Sequence, residues 1–366
     1  MAEQLINQYL TPAFVASLGD HMQSVYPSWD HHQFKKDLYD DEWETRALKQ
    51  RMNHVSVCLK KNLPFSYLET LEVLKKVCIH FTSLEGMVFS DFVEQFGQDN
   101  LEASLEALAL FTQHGSGEFA IRSFIINHET QVMTRMLAWS KHENVHVRRL
   151  ASEGCRPRLP WAMALPRFKE DPALVLQILD NLKDDPEEYV RKSVANNLND
   201  ITKDNPDLVL DKLEEWSKAT SKRTQWIMKH ALRGLVKAGH PRALKLLGFE
   251  DAKIKLSAFQ IVTPTVAFGD SLEFSFQLKN LSKTSGQFVV DYIIYFVKAN
   301  GSQAPKVFKI KNLELGPNKV ESITKSHAIK PITIRKYYPG KHRVAIQVNG
   351  KILAEKSFKL LMTTNE

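Results

Sequence analysis

The first two-thirds of the chain repeat apolar residues at three- and four-residue steps, and the last third alternates them at every second position. The first pattern belongs to helices that bury one face, the second to half-buried strands. Helical stretches are predicted over Leu5–Leu18, Asp30–Asn62, Ser66–Phe81 and Asp99–Gln113. Tyr26, Trp29, Phe34, Tyr39 and Trp43 are expected as core contacts between packed helices. After Leu247-Gly248-Phe249, beginning at Lys255-Leu256-Ser257-Ala258-Phe259, period-two segments include Leu272–Leu278, Phe288–Val297, Val307–Ile310 and Arg343–Val348. Turn signals separate them, among them Phe268-Gly269-Asp270, Ala299-Asn300-Gly301, Leu315-Gly316-Pro317 and Asn349-Gly350. About seven short strands in that space predict an immunoglobulin-like sandwich. Tyr337-Tyr338-Pro339-Gly340 before a strand has the form of a tyrosine corner.

Within the helical part a longer period emerges. Val147-Arg148-Arg149-Leu150-Ala151 aligns with Val190-Arg191-Lys192-Ser193-Val194 and with Ile227-Met228-Lys229-His230-Ala231, at steps of 43 and 37 residues. Those steps suit a two-helix HEAT or armadillo unit. Pro172, Pro186 and Pro206 fall near helix starts, where a missing N–H costs nothing. The expected architecture is an all-α HEAT-like solenoid over residues 1–250, followed by an all-β sandwich over 251–366. Arg149, Lys192 and Lys229 share a position in the repeat, so their cations should line one face, as a polyanion-binding surface requires.

Charge divides along the same boundary. Residues 251–366 hold 18 Lys and Arg against 8 Asp and Glu, a net of +10, and the remainder carries −3. A basic sandwich suits a nucleic-acid backbone, although basic sandwiches that bind protein also exist. Cys58, Cys78 and Cys155 all lie in the helical part, which leaves the sandwich without a disulfide and suits a reducing cytoplasm. Neither a signal peptide nor a membrane-length apolar run is read from the sequence. His31 and His32, adjacent on a helix, point about 100° apart and make a poor metal pair. No metal-ligand spacing and no glycine-rich nucleotide loop stands out, so neither metal nor cofactor is expected.

The densest chemistry lies in Val147–Trp161, where Arg148, Arg149, Arg156 and Arg158 surround Glu153 and a Gly-Cys-Arg-Pro break leads to Trp161. Arginine forks suit phosphates, and a carboxylate beside an indole suits something cationic. A solvated charged face remains the plain alternative.

Taken together, LKQRMNHVSVCL (Leu48–Leu59), GSGEFAIRSFI (Gly115–Ile125), VRRLASEGCRPRLPW (Val147–Trp161), EYVRKSVANNLNDITKDNPD (Glu188–Asp207), HALRGLVKAGHPRAL (His230–Leu244) and KPITIRKYYPGKH (Lys330–His342) resemble the HEAT-like alkylpurine DNA glycosylases, in the AlkC branch with an immunoglobulin-like C-terminal domain. The resemblance covers nearly the whole chain. It implies hydrolysis of the N-glycosidic bond of N3-alkylated purines, chiefly 3-methyladenine, in duplex DNA; nothing in the sequence demands a dimer, so a monomer in the cytoplasm is expected. It further implies that Glu118 and Asp200 flank the sugar and that Glu153 and Trp161 complete the site. Arg148, Arg149, Arg156, Lys192, Asn196, Lys229 and Arg233 would grip phosphates, and Arg335 and Lys336 would press a sandwich loop against DNA. Plainer roles stay open for the central four. Glu118 could be a first-turn carboxylate, Asp200 a helix cap, Glu153 a partner of Arg149 or Arg156, and Trp161 core packing. A non-catalytic DNA- or protein-binding repeat scaffold, or a catalytically dead DNA-binding relative, is the competing reading.

Overall fold

The computed structural model describes residues 10–218, 221–249, 253–332 and 335–362. It forms two compact units that divide between Ala231 and Leu232. The first unit is helical: α1 (Pro12–Val25), α2 (His31–Leu38), α3 (Leu48–Asn62), α4 (Tyr67–Val77), α5 (Ser83–Phe96), α6 (Leu101–Phe111), α7 (Ala120–Asn127), α8 (Glu129–Trp139), α9 (Val145–Gly154), α10 (Pro166–Glu170), α11 (Ala173–Leu182), α12 (Glu188–Ile201), α13 (Pro206–Trp216) and α14 (Lys222–Ala231).

The predicted repeat is present. Helices α9, α12 and α14 pack side by side in that order, and α8 packs on α11 behind them. Val147, Val190 and Ile227, the aligned apolar positions, are all fully buried. Polar contacts follow the same period. Arg148 Nη1 donates to the carbonyls of His142 and Glu143 at 3.0 and 2.7 Å, and Arg191 Nη1 donates to those of Asp185 and Pro186 at 2.8 and 2.6 Å. Ser152 meets Ser193 at 2.7 Å, and the buried Asn197 donates to the Ser152 carbonyl, stapling α9 to α12.

Two helical expectations change. The stretch Asp30–Asn62 is two helices, because Asp40 and Glu42 bind Arg46 and hold a turn between α2 and α3. The helix expected over Leu5–Leu18 begins at Pro12, with Thr11 capping Phe14 N, and residues 5–9 lie outside the described residues. Helix α5, absent from the expected set, packs on α3, α6 and α7.

The second unit opens with two short helices, α15 (Arg233–Ala238) and α16 (Pro241–Leu246), ahead of β1 (Ile254–Ile261), β2 (Thr265–Ala267), β3 (Ser271–Asn280), β4 (Gly286–Val297), β5 (Gln303–Leu315), β6 (Val320–Ala328), β7 (Gly340–Val348) and β8 (Lys351–Leu361). One sheet runs β1-β3-β6 and the other β2-β8-β7-β4-β5, which is an immunoglobulin-like sandwich. Phe274, Phe276, Tyr292, Ile294, Val344, Ile346 and Phe358 fill the core between the sheets. Helix α15 is tied to this unit through the Lys237 carbonyl, which accepts from Gln347 Nε2 at 3.0 Å.

The Tyr337–Gly340 corner is held differently from expectation. Tyr337 is buried by ring contacts with Phe268 and Phe296. Among the described residues the polar tie is His342, whose ring meets the Tyr338 carbonyl and the Val297 amide.

Candidate active site

Three carboxylates from three separate segments meet in the helical unit. Glu153 stands in the last turn of α9, and Asp200 in the last turn of α12. Glu118 lies in the turn that leads into α7. That turn is placed by backbone crowding. Gly115 bridges to Ser83 and lies so close to α5 that a Cβ there would stand 2.2 Å from the Gly86 carbonyl carbon, a contact no side chain tolerates.

Two arginines thread the acids together. Arg149, one turn before Glu153 on α9, pairs with Glu118 and lies 3.7 Å from Glu153. Arg156 donates to Glu153 at 2.6 Å and to Asp200 at 2.8–2.9 Å. Lys203 closes the row on the other oxygen of Asp200 at 2.8 Å. All three carboxylates are buried; Glu118 is 2% exposed and Asp200 3%. Ionised groups at such depth are tolerated only when paired, and alternation of sign satisfies that condition. Burial works against the charge of Arg156, but Glu153 and Asp200 outweigh it and raise its pKa. Beyond its pair with Arg149, the Glu118 carboxylate accepts no hydrogen bond among the described residues. Tyr189 lies beneath the Arg149 guanidinium, 4.7 Å from ring to cation.

The segment after α9 presents Trp161. This residue adopts φ +65° and is 61% exposed, so packing between repeats is not its role. Its carbonyl accepts from Lys49 Nζ at 2.7 Å. Deeper down, Arg122 of α7 is fully buried and donates to the carbonyls of Gly154, Arg156 and Met163, each at 2.8 Å. Burial lowers its pKa to about 10, still far above neutrality, so it remains a cation.

Several residues take places that differ from those expected. Arg148 was expected on a phosphate; its Nε instead meets Asp185 at 2.7 Å, and its Nη1 holds two carbonyls. Its fork is spent on the repeat-to-repeat junction. Arg156 was expected on a phosphate too, but it sits buried inside the carboxylate row, where its fork is already engaged. Lys192 is exposed and paired with Glu188 at 2.7 Å, Asn196 is half-buried one turn further along α12, and Lys229 is exposed on α14. Arg233 begins α15 and belongs to the second unit. In the sandwich, Arg335 lies 3.9 Å over the Phe296 ring, and Lys336 is exposed beside Tyr338. Thr333 and Ile334 of the same loop lie outside the described residues.

Sequence reasoning did not single out Arg122, Lys203, Lys49 or Tyr189. Arg122 carried a readable signal, because its helical neighbours Ala120, Ile121, Phe124 and Ile125 are all core residues. A lone cation among them has to find buried acceptors.

Fold and cluster define a helical-repeat protein with a buried carboxylate–guanidinium row, joined to an immunoglobulin-like sandwich. The DNA alkylation repair enzyme family matches residues 112–235, which contain the entire row, and the C-terminal immunoglobulin-like domain of YhaZ proteins matches residues 255–362. The chain is 41% identical over 347 residues to a protein of Bacillus subtilis (strain 168) designated "Uncharacterized protein YhaZ", covering 94% of this chain and 96% of that one. Among solved structures it is similar to the Pseudomonas fluorescens alkylpurine DNA glycosylase AlkC bound to DNA containing an abasic site analog. That similarity has a TM-score of 0.92 and 39% identity, and covers 95% of this chain and 97% of the other. The chain therefore belongs to the AlkC-like DNA alkylation repair family, with the YhaZ-type immunoglobulin-like domain at its C-terminal end. Among the described residues no helix is long and apolar enough to cross a membrane.

Proposed function

We propose that this protein is a DNA glycosylase that releases cationic N3-alkylated purines, 3-methyladenine foremost, from duplex DNA. The observation that carries the reading is the convergence of Glu118, Glu153 and Asp200 in one buried row, in a chain closely similar to a glycosylase solved on DNA. Alkylation at N3 makes the purine cationic, so the bond from C1′ to the base breaks without a general acid. The bonding pair leaves with the base and neutralises it, and positive charge moves onto the sugar. Fixed carboxylates stabilise that oxocarbenium-like sugar most where water is scarce. Water then attacks C1′ and gives up a proton to a carboxylate. Glu118, which beyond its pair with Arg149 accepts no hydrogen bond among the described residues, and Asp200 are the groups assigned to the sugar and the water. Glu153 is assigned to hold both arginines, and Trp161 to present an aromatic face to the cation.

Lys192 and Lys229 along the repeat, with Arg335 and Lys336 on the sandwich, are assigned to phosphates. Such contacts position a duplex without reading its sequence, which suits a target found anywhere. The deciding experiment is base release from methylated duplex DNA, with freed purines resolved by chromatography, for the wild type and Asp200→Asn. Free 3-methyladenine from the wild type alone supports the reading. Release by neither protein, with DNA binding intact in both, would favour a DNA-binding scaffold.

A further inference from the structure

A cavity of about 320 Å³ opens beside the carboxylate row and takes no part in it. Lys49 and Met52 of α3, Met87, Asp91 and Glu94 of α5, and Phe119 line it. The three α5 residues recur at steps of four and three, so one helix face supplies a whole wall. Phe119 directly follows Glu118 in the turn before α7. Lys49 lies with its Nζ 4.0 Å over the Phe119 ring and also holds the Trp161 carbonyl.

One polar group in the wall of this cavity is without a partner among the described residues, and two carboxyls stand close by. Ser90, also in the wall, is 2% exposed, and its hydroxyl has no hydrogen-bond partner among the described residues. Buried hydroxyls are rarely left in that condition. Asp91 accepts from Gln95, its neighbour one turn along. Burial and the proximity of Asp91 raise Glu94 to about 7, so near neutrality it is present both as an acceptor and as a donor. Burial raises Asp91 as well.

A fitting ligand has to give hydrogen bonds to carboxylates, accept them from Lys49 or protonated Glu94, and place a flat apolar body among Phe119, Met52 and Met87. An aliphatic amine leaves the aromatic wall unused, and a phosphate is repelled by Asp91 and Glu94. A heteroaromatic base with an exocyclic amino group meets every requirement. We propose that this cavity binds a free aminopurine, the class of compound that base release would liberate next to it. The identity of the physiological occupant rests on the glycosylase reading; the binding chemistry does not.

The test is calorimetric titration of 3-methyladenine and of adenine into the full chain, with the same compounds added as inhibitors of base release. Saturable binding to the wild type is expected, with affinity at least fivefold weaker in Glu94→Gln and a parallel rise in the inhibition constant. Phe119→Leu, which keeps an apolar side chain but removes the ring, serves as a second variant should Glu94→Gln fold poorly, and the same fivefold loss is expected. The proposal is overturned if the wild type takes up neither purine at millimolar concentration, or if a folded variant binds as tightly as the wild type. A protein that binds purine, loses it on Glu94→Gln and releases no base would retain the cavity's assignment and lose the glycosylase reading.

Discussion

The Nε of Arg122 donates to the main-chain carbonyl of Met163 at 2.8 Å, bridging 41 residues of sequence from beneath the loop that carries Trp161. The same guanidinium holds Gly154 and Arg156, so one fully buried side chain fixes both ends of that loop. Arg122→Gln leaves the two buried carbonyls of Gly154 and Arg156 without this donor, at about 1–3 kcal/mol for each group left unpaired. Chemical denaturation should show an earlier transition of the helical unit, and limited proteolysis should cut first near Trp161. Unchanged denaturation and proteolysis would contradict this role.

Asp200→Asn removes the negative charge beside Arg156 and keeps the side-chain shape. Loss of one preorganised electrostatic partner costs roughly 10²–10³ in rate, so single-turnover base release should fall by that order. Affinity for undamaged duplex, read by fluorescence anisotropy, should change by less than about threefold, because Asp200 is buried and assigned to the sugar and water.

Trp161 separates stability from activity. Its left-handed backbone is unfavourable for any residue with a Cβ, by about 1 kcal/mol. Trp161→Gly should therefore raise the melting temperature slightly while base release falls. A fall in both would indicate that the exposed indole supports the fold.

Asp291 is one group that makes the sandwich respond to pH. Its carboxylate is buried without a hydrogen-bond partner among the described residues, and burial raises its pKa to about 6 despite Lys309 and Lys237 nearby. A carboxyl whose folded pKa lies above its unfolded value favours the folded state below the unfolded value, near 3.8, and loses that contribution as pH rises through about 6. Asp291→Asn should accordingly stabilise the sandwich at pH 7.5, by up to about 3 kcal/mol. The gain should vanish below pH 4, and melting curves at both pH values check it.

Lys336 is exposed, and its replacement by alanine should leave the melting temperature unchanged. If it meets a phosphate, the slope of log affinity against log salt should decrease by about 1. An unchanged slope would remove the sandwich loop from the DNA contact.

The repeat was readable because its signal is apolar and periodic: Val147, Val190 and Ile227 recur in sequence and are all buried in the structure. Period-two segments were named within β1, β3, β4, β5 and β7, and Val307–Ile310 covers only the middle of β5, because Pro305 on one side and Lys311-Asn312 on the other interrupt the alternation. The carboxylate row was legible only through family resemblance, since nothing in the spacing of 118, 153 and 200 brings them together. Arg148 and Arg156 have partners that the sequence alone does not indicate. Arg148 lies on α9 and Arg156 in the turn after it, and in each case the acceptor comes from a segment distant in sequence, Asp185 for the first and Asp200 for the second. Helix α5 went unread because its apolar pattern is interrupted at Gly86, Ser90 and Asp91, and those interruptions are what the crossing and the cavity use.

The crossing of Gly115 over Gly86 has a mechanical consequence. The strand of chain that delivers Glu118 rests directly on the backbone of α5, with no side chain between them to act as a cushion. The same helix, from Met87 next to the crossing through Asp91 to Glu94, walls the cavity. A displacement of α5 of even a few tenths of an ångström would be transmitted to the turn rather than absorbed. A Cβ at position 115 would therefore lift the turn that carries Glu118 away from α5, which ties the place of that carboxylate to a glycine three residues before it.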